Sequence, residues 1–180
     1  MSAFPEPVDS TSASEPPRNW RAFAILVGLI SVPLIVLDQV SKSYVERHMF
    51  LYQSIAVIPN LFDITYTQNP GAAFSMFATL PAGVRVMFLV GLSSAAIVVL
   101  LVLLAQTHRI TLLSVSFALI LAGASGNLLD RAMRGGRVID FLRLHYYAAN
   151  YPIFNVADSA ISIGVALIIL STFFSRHEHS

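Results

Sequence analysis

The chain has 180 residues, of which 56% are hydrophobic and 12% are charged, and its mean hydropathy is +0.70. Soluble domains carry about a quarter charged residues, so this composition excludes an ordinary hydrated surface and indicates a membrane protein. With a formal net charge of only +1, the chain lacks the basic excess typical of nucleic-acid-binding proteins. The sequence contains no cysteine, which excludes disulfides, thiolate nucleophiles and cysteine-bound metal centres.

The first 19 residues are rich in proline and serine and show no apolar periodicity. Such a composition predicts a disordered N-terminal tail. Its acidic character differs from the basic start and short apolar core of a secretory signal peptide. Residues 175–180 are polar as well, and we expect them to form a short C-terminal tail.

Four apolar runs follow the N-terminal tail, at about residues 20–37, 86–105, 110–129 and 156–174. A helix needs about 20 mainly apolar residues to cross the hydrocarbon core of a bilayer, and each run is close to that length. The sequence therefore predicts four transmembrane helices within one membrane-embedded domain, residues 20–174.

Small residues recur at every fourth position of the third run, as Ala118, Ala122 and Gly126. Gly91 and Ala95 repeat this spacing in the second run. Stripes of small residues let transmembrane helices approach closely, so we expect the four spans to pack as a compact all-α bundle.

Four spans leave the two long loops, residues 38–85 and 130–155, on the same side of the membrane. The first loop contains two stretches rich in β-branched and aromatic residues, Ser54–Ile58 and Leu61–Thr67, separated by a Pro-Asn turn. We therefore predict a small β-sheet subdomain on the surface of the bundle.

The distribution of positive charge bears on orientation, because cytoplasmic loops usually carry the excess of Lys and Arg. A plain count would put the two long loops in the cytoplasm, unless several of their arginines are held there by function. The side of the termini carries Arg18, Arg21, Arg109 and Arg176, whereas the long loops carry Lys42, Arg47, Arg85, Arg131, Arg134, Arg137 and Arg143.

Ionisable residues at membrane depth are costly and need a reason. Asp38 and Lys42 share one helix face at i,i+4 spacing, for which a structural ion pair is the favoured interpretation. Asn127 lies one turn inside an apolar run and is followed by Asp130 and Arg131. A buried amide needs partners or a ligand, so polar packing and a binding site are both open interpretations of Asn127.

Two aspartates in the second long loop and the fourth span form the last candidate group. Asp158 follows Asn155 by three residues, which resembles a capping box at the start of a helix. Asp140 has apolar neighbours on both sides, which a cap does not explain. Burial and a second nearby carboxyl favour retention of one proton, as a water-activating aspartate dyad requires. A cap and a dyad remain alternative interpretations of Asp158.

Other chemistries are not supported by the sequence. It lacks the Gly-x-Ser-x-Gly, His-Glu-x-x-His and Gly-rich phosphate-loop motifs. Its five histidines are spread over loops and the C-terminal tail, and His145 beside two tyrosines is typical of an interfacial anchor. We therefore predict neither a metal nor a cofactor.

Four segments share one pattern with a known family, and together they extend from the first span to the fourth. They are Leu37-Asp38-Gln39 with Lys42; Thr67 to Phe74; Gly123 to Arg131 together with Val138-Ile139-Asp140-Phe141; and Phe154 to Ala160. In order and spacing, the chain resembles lipoprotein signal peptidase, the bacterial type II signal peptidase.

The resemblance implies an aspartyl endopeptidase of the bacterial inner membrane. Its substrates would be prolipoproteins, cut on the amino side of a cysteine that already carries a diacylglyceryl group. It implies that Asp140 and Asp158 are the catalytic pair, and Asp130 is a second choice for one of them. The positions that it marks as substrate-binding or supporting are Asn69, Gly71, Asn127, Asp130, Arg131, Asn155, Asp38 and Lys42.

The resemblance also implies an orientation opposite to the plain charge count. Both termini would be cytoplasmic, and the long loops and the active site would lie at the periplasmic face, in contact with membrane lipid. The alternative function is a small proton-coupled transporter that uses Asp130, Asp140 and Asp158. That function predicts ionisable groups near the middle of the membrane, whereas these aspartates lie at span ends or in a loop.

Overall fold

The computed structural model of the protein describes residues 19–71, 81–147 and 149–177. Apart from Asn19, the predicted N-terminal tail lies outside the described residues, as do residues 72–74 of the second shared segment. Four helices are each long and apolar enough to cross a membrane. Their bounds are α1 Trp20–His48, α2 Ala82–Ala105, α3 Leu112–Met133 and α4 Val156–His177.

Helix α1 continues to His48, past the predicted end of the first span at residue 37. The prediction ended the span at residue 37, before Asp38, the first charged residue after the apolar run. In the structure Asp38 and Lys42 are part of the helix, and both side chains are buried. Their burial is possible because they pair with each other and Lys42 also pairs with Asp130 of α3. No proline or glycine occurs between residues 38 and 48 to end the helix there.

A π-helical turn interrupts α1 at Val27–Ser31, directly before Pro33. Proline has no N–H to donate, so it disturbs the regular hydrogen bonding of the preceding turn. Ser31 in this turn is buried, and its Oγ donates to the carbonyl oxygen of Ala118 in α3 at 2.8 Å. The hydrogen bond joins two spans inside the apolar part of the bundle.

The small-residue stripe on α3 lies against neighbouring helices, as predicted. Ala118 and Ala122 are buried, and a Cβ atom added to Gly126 would lie 2.6 Å from Asp38 Oδ2 in α1 and 3.3 Å from Ala157 Cβ in α4. The corresponding prediction for α2 is wrong, because Gly91 is exposed and has no atom within 4 Å of an added Cβ. Equal spacing of small residues does not reveal which helix face meets a neighbour.

Four antiparallel strands form one sheet in the order β1-β2-β3-β4. The two predicted strands are present, the second shifted by one or two residues, and two further strands from the second long loop join them. The sheet therefore connects both long loops beside the bundle, and the predicted four-helix fold with a small sheet is confirmed. The strands are β1 Ser54–Ile58, β2 Phe62–Asn69, β3 Val138–Tyr146 and β4 Ala149–Asn150.

A tight turn between α3 and β3 sets the position of β3. Gly135 and Gly136 have φ values of 60° and 84°, which glycine adopts at little cost. A Cβ atom on Gly136 would overlap the side chain of Val86 in α2. The two glycines thus allow the chain to reverse close to α2 and to lead directly into β3.

Candidate active site

Asp140 lies in β3 and is 3% exposed. The register of β2 and β3 places Thr67 opposite Asp140, two residues before Asn69. Asn69 Nδ2 donates to Asp140 Oδ2 at 3.1 Å, and Asn155 Nδ2 donates to Asp140 Oδ1 at 2.7 Å. Both carboxyl oxygens of Asp140 therefore accept a hydrogen bond from an asparagine amide.

Asp158 lies in the first turn of α4, where it completes the predicted capping box. Asn155 Oδ1 accepts from the backbone N–H of Asp158 at 2.9 Å, and the backbone N–H of Asn155 donates to Asp158 Oδ2 at 3.3 Å. Asn127 Nδ2 donates to the other oxygen, Asp158 Oδ1, at 2.8 Å. The cap is thus present, and it also holds Asp158 near Asp140, because Asn155 contacts both aspartates.

Asp140 has a shifted pKa. Burial, together with the nearby carboxylate of Asp158, raises the pKa of Asp140 to about 7. Hydrogen bonds from Asn69 and Asn155 act in the opposite direction, since they stabilise the carboxylate. A carboxyl group that holds its proton close to neutral pH can act as an acid or donor next to an ionised partner.

Behind these groups lies a buried charge cluster, which we define as Asp38, Lys42, Asp130 and Arg134. Lys42 Nζ lies 2.8 Å from Asp38 Oδ2 and 3.1 Å from Asp130 Oδ2. The predicted ion pair of Asp38 and Lys42 is therefore present, as part of a larger network. The cluster also reaches α4, because the backbone N–H of Ala157 donates to Asp38 Oδ1 at 2.9 Å.

Asp130, the second choice for a catalytic aspartate, is fully buried within this cluster. Arg134 Nη1 lies 2.7 Å from Asp130 Oδ1, and the backbone N–H of Ile139 donates to Asp130 Oδ2 at 3.0 Å. Lys42 binds the second oxygen as well. These contacts occupy both carboxylate oxygens and favour a structural role, in which Asp130 joins the end of α3 to the start of β3.

Beside Asp140 and Asp158 lies a cavity of about 650 Å³. Arg131 extends to its wall, and its Nη1 donates to the carbonyl oxygen of Asn127 at 3.2 Å. The Nε atom of Arg131 is buried and has no hydrogen-bond partner within the part of the chain that the structure describes. The predicted residues that line the cavity are Asn69, Gly71, Asn127, Arg131, Asp140 and Asp158.

The remaining predicted residues lie outside the cavity lining. Asn155 is fully buried and joins the two aspartates, whereas the buried charge cluster contains Asp38, Lys42 and Asp130. The apolar wall of the cavity was not predicted from the sequence. It is formed by Leu144 and other residues of β3, α4 and the segment before α4. Its members carry no chemical signature, and only their proximity to Asn155 and Asp158 in the chain could have indicated them. They include Tyr151, Pro152, Ile153, Phe154, Ile161 and Ile163.

Ser159 and Ser162, three residues apart on one face of α4, also line the cavity. Ser159 Oγ donates to the carbonyl oxygen of Asn155 at 2.9 Å. Within residues 19–71, 81–147 and 149–177, no three His, Asp or Glu side chains form a group suited to metal binding. The polar groups of the cavity are thus carboxyl, amide, hydroxyl and guanidinium groups.

Comparison with known proteins agrees with this geometry. A family model described as signal peptidase (SPase) II matches residues 30–174. The chain is 44% identical over 163 residues to a lipoprotein signal peptidase of Geobacter metallireducens, covering 90% of this chain and 96% of the relative. It is 43% identical over 161 residues to one of Desulforapulum autotrophicum, covering 88% and 97% respectively.

A solved structure, described as a bacterial membrane enzyme studied by the in meso method, has the same fold. It has a TM-score of 0.76 and 30% sequence identity to this protein, and the match covers 86% of this chain and 91% of that one. The family match spans the region that contains both aspartates, the three asparagines and Arg131. The resemblance found in the sequence is therefore confirmed, and the chain belongs to the signal peptidase II family.

Proposed function

We propose that this protein is an aspartic endopeptidase that removes signal peptides from prolipoproteins. The observation that carries the proposal is the placement of Asp140 and Asp158 at one cavity wall, joined through the side chain of Asn155. The relatives named above are lipoprotein signal peptidases, and their similarity covers nearly the whole chain. The substrate would carry a diacylglyceryl group on a cysteine, and the bond on the amino side of that cysteine would be cut.

The chemistry follows from two carboxyl groups that share one proton. The ionised aspartate takes a proton from water, which attacks the scissile carbonyl carbon. The protonated aspartate donates a hydrogen bond to the oxyanion that forms. It then transfers its proton to the leaving amine as the C–N bond breaks. The raised pKa of Asp140 supports this division, because it keeps a proton available near neutral pH.

The cavity offers a suitable environment for an extended peptide with a lipid chain. Asn69 and Arg131 provide donors for the peptide carbonyl groups at its polar side. Residues of α4 and of the segment before it, including Ile161 and Ile153, provide an apolar side suited to acyl chains and to an apolar signal sequence. Gly71 also lines the cavity, and its backbone N–H donates to Asn69 Oδ1 at 2.9 Å, which holds the Asn69 amide in place.

The transporter alternative has no support in the relatives, which are peptidases. The positions of Asp130 and Asp140 also disfavour a transporter. Asp130 binds two cations within the buried charge cluster, and Asp140 belongs to a strand beside the bundle. A proton path across the membrane would require ionisable groups along the spans, and helix α2 contains only Arg85, close to its start.

The proposal is tested with Asp140→Asn and Asp158→Asn, each measured on a purified, lipid-modified precursor peptide. We expect each substitution to lower kcat by about a thousandfold, because it removes a group that transfers protons in the transition state. Asp63→Asn is the matched control, since Asp63 is also a buried strand aspartate but does not line the cavity. Full cleavage by either cavity variant would refute the dyad.

A further inference from the structure

Lys42 is a cation without any exposed surface, in the last third of α1. An ammonium group has three N–H donors and no acceptor. Its Nζ atom has three partners: Asp38 Oδ2 at 2.8 Å, Asp130 Oδ2 at 3.1 Å and Asn127 Oδ1 at 3.0 Å. Every donor of Lys42 is therefore used, and one of them is directed to a neutral amide that lines the active-site cavity.

The contact with Lys42 determines which way the amide of Asn127 points. Because the ammonium can only donate, the oxygen of Asn127 must face Lys42, and its NH₂ group must face the opposite side. On that side Asn127 Nδ2 donates to Asp158 Oδ1 at 2.8 Å. Asn155 Nδ2, at 3.3 Å from Asn127 Oδ1, favours the same orientation.

We infer that Lys42 is a positioning residue for the aspartate dyad, acting through Asn127. It orients the Asn127 amide so that Asp158 receives an N–H donor rather than a second oxygen. The inference rests on the proposed function, and it explains why a buried cation in the first span contacts a neutral amide in addition to two carboxylates. Without the charge, the amide can turn over and present its oxygen to the carboxylate of Asp158.

Several charged groups surround the dyad, and a change in any of them affects its titration. Helix α1 supplies two charged groups, helix α3 supplies two charged groups and one amide, and the other two amides come from β2 and from the residue before α4. These charged groups and amides are Lys42, Asp38, Arg131, Asp130, Asn69, Asn127 and Asn155. Lys42 differs from Arg131 in that it acts on Asp158 through a hydrogen-bonded amide.

A double-mutant cycle tests the coupling. Lys42→Met and Asn127→Ala are each expected to lower kcat by about tenfold, a size typical of residues in direct contact. If Lys42 acts through Asn127, the double variant loses no more activity than Asn127→Ala alone. Losses that multiply to about a hundredfold would show that Lys42 supports activity independently of Asn127, and they would overturn the inference.

The pH dependence of kcat supplies a readout that a purely structural role would not change. Asn127→Asp keeps an acceptor for Lys42 but replaces the NH₂ group with an oxygen that faces Asp158. We expect its pH–rate profile to move to higher pH by about one unit, because an added carboxyl disfavours ionisation of the dyad. A profile that coincides with that of the parent enzyme would refute the inference, even if Lys42→Met fails to fold.

Arg134→Met is the matched control. Arg134 binds Asp130 as Lys42 does, at 2.7 Å, but its hydrogen bonds and ion pairs within the described residues are with Asp130, Glu46, Gln39 and Ser43 and not with Asn127. We expect this variant to unfold at a lower temperature while keeping the pH–rate profile of the parent. If Arg134→Met shifts the pH–rate profile as much as Lys42→Met does, loss of any cluster cation has the same effect. That result would overturn the specific role of Lys42.

Failure of this inference is distinguishable from failure of the proposed function. If Asp140→Asn and Asp158→Asn abolish cleavage while the Lys42 cycle is additive, the dyad stands and the positioning role is wrong. If either of those two variants cleaves fully, the dyad itself is wrong.

Discussion

Two amide side chains hold Asp140, and a backbone N–H group fixes the orientation of each. Asn69 Oδ1 accepts from the N–H of Gly71, so the Asn69 NH₂ group is free to face Asp140. Asn155 Oδ1 accepts from the N–H of Asp158, so its NH₂ group faces Asp140 too. Because a backbone N–H only donates, neither amide can turn over without losing a hydrogen bond.

The pKa of Asp140, about 7, predicts the alkaline side of the pH–rate profile. The dyad needs one proton, so we expect cleavage to fall by about tenfold per pH unit once the pH is well above 7. Asn69→Ala removes a donor that stabilises the Asp140 carboxylate, and it should move this fall to higher pH. Gln68→Ala, which alters the neighbouring residue, should leave it unchanged. Identical profiles for the parent and Asn69→Ala would contradict this prediction.

The same proton affects stability. The unfolded chain releases the Asp140 proton near pH 4, whereas the folded protein keeps it up to about pH 7. The folded state therefore binds more protons in this interval, and the contribution of Asp140 to the free energy of unfolding decreases as pH rises from about 4 to 7. Asp140→Asn should remove this pH-dependent contribution. The measurement is thermal unfolding of the parent protein and of the variant, in detergent at pH 5 and at pH 7.

The contact between α3 and α4 brings Asn127 to Asp158, and it depends on glycines that leave no room for a side chain. A Cβ on Gly123 would overlap the backbone of Ala157 and lie 2.6 Å from Ile161 Cγ1. On Gly126 it would lie 3.3 Å from Ala157 Cβ in α4 and 2.6 Å from Asp38 Oδ2 in α1. The close approach of these helices is thus a condition for the geometry of the site.

Gly123→Ala tests this packing. We expect it to destabilise the protein by about 1–3 kcal/mol, since α4 must move away from α3, and to lower kcat because Asp158 moves with α4. Gly91→Ala is the matched control, because Gly91 also lies in a span but has no atom within 4 Å of an added Cβ. Thermal unfolding should separate the two variants, and equal unfolding temperatures would disprove the close-packing argument.

At the scale of the whole molecule, several positive charges of the long loops are engaged by other side chains, which bears on the orientation in the membrane. Arg134 binds two acidic side chains, and Arg143 lies 3.6 Å from Asp63. Arg137 donates to Gln68 at 3.0 Å. Arginines held in such contacts are present for structural reasons. The excess of positive charge in the long loops is therefore compatible with a periplasmic position of these loops. We propose that the sheet and the cavity face the periplasm and that both termini are cytoplasmic.

The absence of cysteine from the chain makes this orientation directly testable. Tyr147→Cys lies in the turn between β3 and β4, and Gln106→Cys lies at the end of α2, on the opposite side of the bundle. In intact cells we expect a membrane-impermeant maleimide to label the first variant, and to label the second only after the inner membrane is permeabilised. The reverse pattern would disprove the proposed topology.

The sequence by itself determined the features that depend on local composition. These are the four spans, which need only sufficient apolar length, the first hairpin, and the capping box at the start of α4. Asn127 and Asp140 were also accessible, because a polar group among apolar neighbours stands out, whereas Asn69 and Gly71 were indicated only by the resemblance to the family. Ten site residues were named from the sequence. All ten line the cavity or lie directly behind it.

Only the tertiary structure decided which of these residues contact each other. Helix α1 continues through Asp38 because Lys42 and the N–H of Ala157 lie beside that carboxylate. The i,i+4 spacing indicated the pair with Lys42, but neither the contact with Ala157 nor the contact of Lys42 with Asp130 is visible in the local sequence. Strand β3 forms because β2 offers it an edge. Gly126 meets neighbouring helices and Gly91 does not, although both have a small residue four positions away, Ala122 and Ala95 respectively. Apolar length is a local property, whereas burial and hydrogen-bond partners are supplied by distant parts of the chain.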